Sequence, residues 1–154
     1  CLSEKGYMME CMIFIGLQGS GKSTFYQQQF SKTHLRLNLD MLNKSRWRED
    51  ILLNAFIESK QSFVVDNTNP TIAAREKYIA LAKEKDFKVV AYFFDISFEL
   101  ALAQNNQRTG KECIPERGLR NVFNSMQKPT LEEGFDEIYF VTNCEQEFIV
   151  ERIA

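Results

Sequence analysis

Three glycines, a lysine and three hydroxyl side chains lie within ten residues near the start of the chain, in the stretch GLQGSGKSTF. Their spacing is Gly16, four residues of any type, Gly21, Lys22 and Ser23, which is the pattern of a phosphate-binding loop (P-loop). The apolar run MIFI precedes the loop, and a segment able to form a helix follows it. Because this motif works in a strand–loop–helix setting, the sequence predicts a nucleotide-phosphate site.

The residue types of the loop suit a nucleoside triphosphate bound with Mg²⁺. Glycine permits the tight turn that points backbone N–H groups at phosphate oxygens, and the following helix adds the positive end of its dipole. Lys22 can reach the β- and γ-phosphates, and the Ser23 hydroxyl can join the ligands of Mg²⁺. The predicted nucleotide-binding residues of the loop are Gly16, Gly19, Ser20, Gly21, Lys22, Ser23 and Thr24.

The rest of the chain alternates strand patterns with helix patterns. The continuous apolar runs SFVV and VVAYFF are typical of parallel strands covered on both faces. Strand-to-helix alternation implies right-handed crossovers and a mostly parallel sheet. A final segment at 148–153 is expected to pair with the strand before it. The predicted strands lie at 12–15, 35–39, 62–65, 89–94 and 137–141.

Helix starts are predicted from capping patterns. Asn69 followed by Pro70 reads as an N-cap with proline at the first helical position. Ser97 can cap the next helix, and an apolar stripe from Leu119 to Met126 predicts another. The pattern therefore indicates an α/β fold, a P-loop NTPase three-layer sandwich with a central, mostly parallel sheet and a helical lid.

Length and composition set the frame for this fold. With 154 residues, the chain is expected to form one domain over 1–154, in which 1–9 is a tag remnant or a linker. Hydrophobic residues make up 44% of the chain, but none of the apolar runs reaches the roughly 20 residues that cross a membrane. Four scattered cysteines and a single histidine argue against zinc and disulfides, which predicts a reducing, cytoplasmic setting without membrane contact.

Ligands of open parallel sheets bind beyond the carboxyl ends of the strands, and three of the predicted strands end in aspartate. Asp40 follows the second strand. It could orient an acceptor hydroxyl and take its proton, or it could cap the next helix. Asp66 ends the third strand, where it could hold Mg²⁺ or pair with Arg108 or Lys22. Asp95, after the fourth strand, is expected to be structural.

Two cationic segments flank these positions. Arg108 opens the segment QRTGKECIPERGLR, whose glycine, proline and charges suit a mobile lid over a triphosphate, at 108–118. The second segment, at 32–48, carries five basic residues against one acid although the whole chain has a net charge of −2. Such a run is either a solvated helix face or a contact surface for a polyanion. We predict that Arg46 and Arg48, together with Asp40, bind the acceptor.

The motifs, taken together, resemble the polynucleotide 5′-hydroxyl kinase family, which includes phage kinases and the kinase part of animal kinase–phosphatases. The similar stretches are GLQGSGKST, LNLDML, VVDNTNP, NNQRTGKECIP and KPTLEEGFDEI, in family order from residue 12 to about 141. The resemblance implies Asp40 as general base, and Lys22 and Arg108 as catalytic cations. It also implies Ser23 and Asp66 at the metal. Nothing in the chain resembles a phosphatase.

This chain departs from the family at two positions beside the predicted base. Family members often have arginine immediately before the aspartate, where this chain has Leu39. The phage enzyme has an arginine three residues after it, where this chain has Asn43. Arg46 or Arg48 would then take over the contact with the acceptor phosphate.

Several functions remain compatible with the sequence. The guanine-reading pattern Asn-Lys-x-Asp is absent, since the stretch that begins at Asn43 lacks the acid, so ATP is the predicted donor. The first prediction is a kinase that transfers the γ-phosphate of ATP, with Mg²⁺, to a 5′-hydroxyl end of DNA or RNA. The alternatives are a P-loop kinase of a small hydroxyl-bearing metabolite and a non-catalytic ATP-binding module, which would have no use for Asp40.

Overall fold

The computed structural model describes residues 9–110, 113–144 and 147–154. Within them, six strands alternate with five helices and two short 3₁₀ turns, as the sequence patterns predict. The strands are β1 (Glu10–Ile15), β2 (Leu35–Leu37), β3 (Phe63–Asp66), β4 (Lys88–Phe94), β5 (Glu137–Cys144) and β6 (Glu147–Arg152). The helices are α1 (Lys22–Gln29), α2 (Arg46–Glu58), α3 (Ile72–Glu84), α4 (Phe98–Asn106) and α5 (Glu116–Ser125), and the 3₁₀ turns are Asp40–Leu42 and Leu131–Glu133.

The six strands form one sheet in the order β2-β3-β1-β4-β5-β6. The first five strands in this order are parallel, and β6 runs antiparallel to β5. The central strand β1 lies between β3 and β4, so the P-loop leaves the middle of the sheet. The predicted mostly parallel α/β fold is therefore confirmed, as is the pairing of the last segment with β5, which the structure shows to be antiparallel.

Successive side chains of β1 point to opposite faces of the sheet, and those from Cys11 to Ile15 are apolar on both faces. Both faces are therefore buried under helices. Cys11, Ile13 and Ile15 lie in one core cluster with residues of α2 and α3, such as Leu53 and Tyr78. The alternate β1 residues Met12 and Phe14 lie in a second cluster with Phe25 and Tyr26 of α1. These two clusters, one on each face, establish the predicted three-layer sandwich.

A third, smaller cluster joins α4 and α5 beside the P-loop. Leu17 of the loop packs with Phe98 and Ala101 of α4 and with Leu119 of α5. The predicted cap of α4 is confirmed, since the Ser97 hydroxyl accepts a hydrogen bond from the N–H of Leu100. Residues on both sides of the predicted lid, in α4 and α5, therefore pack on the P-loop.

The predicted start of α3 at Asn69 and Pro70 is wrong. The helix begins at Ile72, and Thr71 caps it by accepting a hydrogen bond from Ala74 N at 3.1 Å. Asn69 is buried in the left-handed region, with φ of 43°, and its side chain donates to Phe14 O at 2.8 Å. The Asn69 side chain, which the local pattern assigned to a helix cap, therefore bonds instead to β1, 55 residues earlier in the sequence.

A buried ion pair explains why the stretches VVDNTNP and KPTLEEGF occur together. Arg75 of α3 is fully buried, and its Nε lies 2.8 Å from Oε1 of Glu133, whose side chain is 4% exposed. The same guanidinium donates to the carbonyl oxygens of Asn69 at 3.2 Å and Gln127 at 2.9 Å. This clamp ties the loop after β3 to the segment before β5, so the second stretch has a structural role.

Breaking the clamp should strongly destabilise the fold. We expect Glu133→Gln to lower the free energy of unfolding by about 3–5 kcal/mol, because it leaves a buried guanidinium without its counter-charge. Urea unfolding followed by circular dichroism measures the loss. The neighbouring Glu132 is exposed in the same turn, so Glu132→Gln is the matched control and should change stability little. Equal stability of the two variants would contradict the assignment.

Three further predictions concern the N-terminal linker, the cysteines and membrane-spanning segments. The linker expected over 1–9 lies outside the described residues except for Met9, which packs against the core. Cys11, which is buried, and the half-buried Cys113 are free thiols. Among the described residues, none of the helices combines the length and the apolar character needed to span a membrane.

Candidate functional site

A cleft of about 760 Å³ lies at the carboxyl ends of β1, β2 and β3. Its walls come from the P-loop, the turn after β2, the loop after β3 and the end of α4, with further residues from α2, α3 and the segment before α5. Among the predicted site residues, those that line the cleft are Gly19, Gly21, Lys22, Ser23, Thr24, Asp40, Arg46, Asp66 and Arg108. The cleft therefore lies where the binding rule for open parallel sheets predicts a ligand.

Two glycines of the P-loop adopt a conformation that other residues resist. Gly19 has φ of 80° and Gly21, the N-cap of α1, has φ of 96°. A Cβ on Gly19 would also lie 2.7 Å from the carbonyl oxygen of Ala101, because the loop packs directly on α4. The first backbone N–H groups of α1 have no partners within the helix, so they are available to an anion beside the loop.

Two other predicted loop residues, Gly16 and Ser20, point into the protein and do not line the cleft. A Cβ on Gly16 would lie 2.8 Å from Phe94 Cβ, and the N–H of Gly16 bonds to Thr68 O at 3.0 Å. The Ser20 side chain is buried, and its Oγ has no hydrogen-bond partner among the described residues. Both residues shape the loop, and their contact with a nucleotide stays a prediction.

The Lys22 side chain folds back over the loop in this structure. Its Nζ donates to the carbonyl oxygens of Leu17 at 2.7 Å and Gly16 at 3.0 Å. Burial lowers the pKa of Lys22 to about 8, which the negative charge of Asp66 partly opposes. Arg108 also lowers this pKa, and all three charged residues line the cleft.

Ser23 and Asp66, the two predicted metal ligands, contact one and the same guanidinium group. Arg36 of β2 donates from Nη2 to Ser23 Oγ at 2.8 Å, and the same nitrogen lies 2.8 Å from Oδ2 of Asp66. The predicted ion pair of Asp66 with Arg108 or Lys22 is replaced by this pair with Arg36. Sequence analysis counted Arg36 only as part of the basic run.

The oxygens of Ser23 and Asp66 fit a Mg²⁺ ion by their chemistry. A hydroxyl and a carboxylate are hard oxygen ligands, and a cationic nitrogen already bridges them. The described residues contain no cluster of three or more His, Cys, Asp or Glu that could form a complete metal site. Mg²⁺ in phosphate sites commonly uses one or two protein ligands, with phosphate oxygens and waters completing the shell.

Asp40 is the first residue of the 3₁₀ turn that follows β2, and its exposed side chain faces the cleft. The interpretation of Asp40 as the cap of the next helix is wrong. Ser45 caps α2, where its side chain accepts a hydrogen bond from the N–H of Arg48. The carboxylate of Asp40 is therefore free for a role in the cleft.

Two asparagines hold the Asp40 turn against the end of β3. The Asn38 side chain is buried and donates to Asp66 O at 2.6 Å. The N–H of Leu39 donates to Oδ1 of Asn67 at 2.9 Å. These bonds fix the backbone on the N-terminal side of Asp40 relative to the P-loop strand, two strands away in the sheet.

A buried carboxylate supports this arrangement from behind. Glu49 is fully buried in α2 and accepts hydrogen bonds from Asn67 at 3.1 Å, Lys77 at 2.8 Å and Tyr78 at 2.9 Å. Burial alone would raise its pKa, but the bonds from Lys77 and Tyr78 outweigh burial and lower it. Sequence analysis missed Glu49 and Lys77, because only the helix faces that meet in the fold bring them to the site.

The basic run divides between the cleft and the surface. Arg46 and Lys44 line the cleft, and Arg46 Nη1 lies 3.0 Å from Oε1 of Glu49. Arg48 instead stacks over the ring of Trp47 at 5.1 Å and does not line the cleft, so its acceptor role stays a prediction. Asn43 ends the 3₁₀ turn with φ of 54°, a conformation that asparagine tolerates better than arginine.

Arg108 follows the C-terminal end of α4 and lines the same cleft as Asp40. The base of the predicted lid over 108–118 is closed by Asn105, which sequence analysis did not assign to the site. Its buried side chain exchanges two hydrogen bonds with the backbone of Ile114, at 2.6 and 2.9 Å. Lys111, inside the lid, is outside the described residues.

Curated proteins with similar sequences include two phosphatase/kinases. The chain is 30% identical over 139 residues to a bifunctional polynucleotide phosphatase/kinase of Schizosaccharomyces pombe, covering 88% of this chain and 34% of that protein. It is 33% identical over 141 residues to a putative bifunctional polynucleotide phosphatase/kinase of Acanthamoeba polyphaga mimivirus, covering 86% and 33%. The chain thus spans about a third of the length of these two relatives, and the similarity to polynucleotide kinases is confirmed.

A third curated relative is named as a kinase but not as a polynucleotide kinase. The chain is 28% identical over 144 residues to an L-seryl-tRNA(Sec) kinase of Methanococcus maripaludis, covering 81% of this chain and 55% of that protein.

Solved structures share the fold at low sequence identity. Kti12 of Chaetomium thermophilum, solved in complex with ADP-AlF3, superposes with a TM-score of 0.68 at 17% identity, over 86% of this chain and 88% of that chain. The AvrRxo1-ORF1:-ORF2 complex with ATP gives a TM-score of 0.70 at 17% identity, over 97% and 59%. The sequence profile of the AAA domain family matches residues 12–130. The chain therefore belongs to the AAA domain family, with the fold of the P-loop kinases.

Proposed function

We propose that this chain is an ATP-dependent kinase that transfers the γ-phosphate to a 5′-hydroxyl end of DNA or RNA. One observation carries the proposal: Asp40, whose carboxylate has no hydrogen-bond or ion-pair partner among the described residues and does not cap α2, faces the same cleft as the P-loop lysine, Lys22. A binding module needs the lysine but not the carboxylate. The similarity to two polynucleotide phosphatase/kinases supports the choice of acceptor.

The proton of the acceptor hydroxyl would pass to Asp40 during transfer. In the loose transition state of phosphoryl transfer, alignment of the attacking oxygen contributes more than early deprotonation, so a well-placed carboxylate can serve. The turn that carries Asp40 is fixed by Asn38 and Asn67, so the carboxylate is presented to the acceptor from a rigid backbone.

The negative charge of the ATP phosphates would be neutralised by groups of the P-loop, α1 and the end of α4. The N–H groups at the start of α1 and the Lys22 ammonium would bind the β- and γ-phosphates, with Arg108 added from the end of α4. Ser23 and Asp66 would hold the Mg²⁺ ion, which supplies neutralising charge on the phosphates. Since phosphates would restore a favourable partner, the lowered pKa of Lys22 should rise again when the nucleotide binds.

A substrate panel tests the proposal. The chain is incubated with ATP radiolabelled at the γ-phosphate and with 5′-hydroxyl DNA and RNA oligonucleotides, nucleosides, sugars or seryl-tRNA. We expect label on the oligonucleotides, and none on matched oligonucleotides that already carry a 5′-phosphate. Label on a small acceptor but not on oligonucleotides would replace the proposal with the metabolite kinase. ATP binding without transfer to any acceptor would favour the non-catalytic module.

A second candidate function is phosphorylation of a hydroxyl carried by an RNA or a small molecule rather than of a chain end. It is favoured by the similarity to an L-seryl-tRNA(Sec) kinase and by Asn43, which stands where the phage kinase has an arginine for the acceptor phosphate. The seryl-tRNA arm of the panel distinguishes this candidate from the first.

The acceptor side of the cleft can be tested at Arg46. Its side chain is 62% exposed while it is bonded to the buried Glu49, so the guanidinium is presented to the cleft in a fixed position. We expect Arg46→Ala to raise the KM for oligonucleotide and to lower the slope of log KM against log salt by about one unit, with the KM for ATP unchanged. The measurement is steady-state kinetics between low and moderate salt.

Arg152→Ala is the matched control, because Arg152 is an exposed arginine of β6, at the opposite edge of the sheet. It should leave both KM values and the salt slope as they are. An unchanged slope for Arg46→Ala would mean that the acceptor carries no phosphate at this position, which agrees with a small neutral acceptor.

A further inference from the structure

The guanidinium of Arg36 lies where the proposed metal ion would bind. Its Nη2 is 2.8 Å from Ser23 Oγ and 2.8 Å from Oδ2 of Asp66, and Nε donates to the same Oδ2 at 2.8 Å. A cation that bound both oxygens would have to enter the space of that nitrogen. Arg36 and a divalent ion therefore exclude each other at Ser23 and Asp66.

Arg36 is held in this place by further contacts of the same side chain. Nη1 lies 3.2 Å from the sulfur of Met41, the residue after Asp40, and the guanidinium carbon is 5.7 Å from the centre of the Tyr26 ring. The side chain of Arg36 is 21% exposed, whereas Asp66 is 2% exposed. The buried carboxylate therefore has a counter-charge, and the guanidinium has an open side towards which it can withdraw.

We propose that Arg36 is an internal cation that closes the metal site until nucleotide arrives. In the nucleotide-free protein it neutralises Asp66 and keeps free divalent ions out. When ATP binds at the P-loop, the guanidinium of Arg36 leaves Ser23 and Asp66, and these two residues would then be free to hold the metal that accompanies ATP. This inference rests on the proposed nucleotide site, but not on the identity of the acceptor.

The exchange has a clear electrostatic cause. A divalent ion that approaches Asp66 alone must displace a positive charge already paired with it, and the displaced guanidinium then repels the ion at short range. Phosphates of ATP add several negative charges beside the same oxygens, and they can bind both the ion and the released guanidinium. Metal binding should therefore be weak without nucleotide and should strengthen when nucleotide is present.

Binding of Mn²⁺ to the nucleotide-free chain tests the proposal without any assay of activity. Free Mn²⁺ is followed by electron paramagnetic resonance during titration of wild type and of Arg36→Met. We expect the variant to bind one Mn²⁺ at least about tenfold more tightly, because the competing charge is gone. Adding Asp66→Asn to that variant should abolish the gain. Arg152→Met removes an arginine from the far edge of the sheet and should behave as wild type.

A second measurement uses the unaltered protein, so that it holds even if a variant fails to fold. The Nε–H signal of Arg36 in an NMR spectrum, assigned with Arg36→Lys, should persist when MgCl₂ is added and should shift or broaden when Mg²⁺ and ATP are added together. Equal Mn²⁺ affinity in wild type and Arg36→Met, or an Nε–H signal unchanged at saturating Mg²⁺ and ATP, would overturn the proposal. A protein that fails to transfer phosphate but shows the Mn²⁺ gain would contradict only the proposed function.

Discussion

Replacing Asp40 with asparagine is expected to lower kcat for phosphoryl transfer about 10²–10⁴-fold, the range typical of a general base. ATP affinity should stay close to that of wild type, because Asp40 stands on the turn after β2 and not on the P-loop. Asparagine keeps the size of the side chain but cannot accept the hydroxyl proton. The measurement combines single-turnover transfer of label with an independent titration of ATP binding.

The fold should tolerate this substitution, since the Asp40 side chain is exposed and does not cap α2. Asp86→Asn is the matched control. Asp86 is an exposed aspartate in the turn between α3 and β4, at the opposite ends of the strands, and its φ of 63° suits asparagine. A turnover of Asp40→Asn close to that of the Asp86→Asn control would rule out Asp40 as the base.

Removing the guanidinium of Arg108 should produce the second large loss. Arginines that stabilise the transition state of P-loop enzymes contribute about 10³–10⁵-fold, and one that also binds ground-state ATP should lie at or below the lower end of that range. We expect Arg108→Ala to lower kcat more than it raises the KM for ATP, because uniform binding would have the opposite effect. Steady-state kinetics with the acceptor found in the panel give both constants.

Arg108→Lys separates charge from geometry. Lysine restores the charge but not the paired donors of the guanidinium, so it should recover only part of the loss. Arg117→Ala is the comparison variant, because Arg117 belongs to α5, is exposed and does not line the cleft. We expect it to keep most of the wild-type kcat. Full activity of Arg108→Ala would move the role of lid cation to Lys111 or Arg117.

Elements that are specified locally were predictable from the sequence. The P-loop follows from glycine spacing, and the places of Asp66 at the end of β3 and of Asp40 in the turn after β2 follow from apolar runs that stop at an acid. The cap of α4 at Ser97 is likewise a property of a few adjacent residues. For such features, a functional residue and the residues that determine its conformation lie in the same short stretch of the chain.

Long-range partners were not predictable in the same way. Asn69 was assigned to a helix cap because its bond to β1 crosses 55 residues of sequence. Arg36 and Asp66 meet because β2 and β3 are neighbours in the sheet, and the periodicity of either strand says nothing of that pairing. Asn105 likewise occupies the buried face of α4 expected of a core residue, yet its amide holds the base of the lid.

The hairpin of β5 and β6 lies beyond the segment that the family profile matches, yet it packs against the helix of the P-loop. The family profile ends at residue 130, but Phe148 of β6 packs on Phe25 of α1 and would lie 3.1 Å from a Cβ on Gly21. Ile138 N also bonds to Ala154 O at 3.0 Å. A gene fusion or truncation placed at the edge of the recognisable sequence would therefore strip one wall from the P-loop and open the edge of β4. The packing around the P-loop therefore extends beyond the segment that the family profile recognises, and a fragment cut at residue 130 would lack the Phe148 contact.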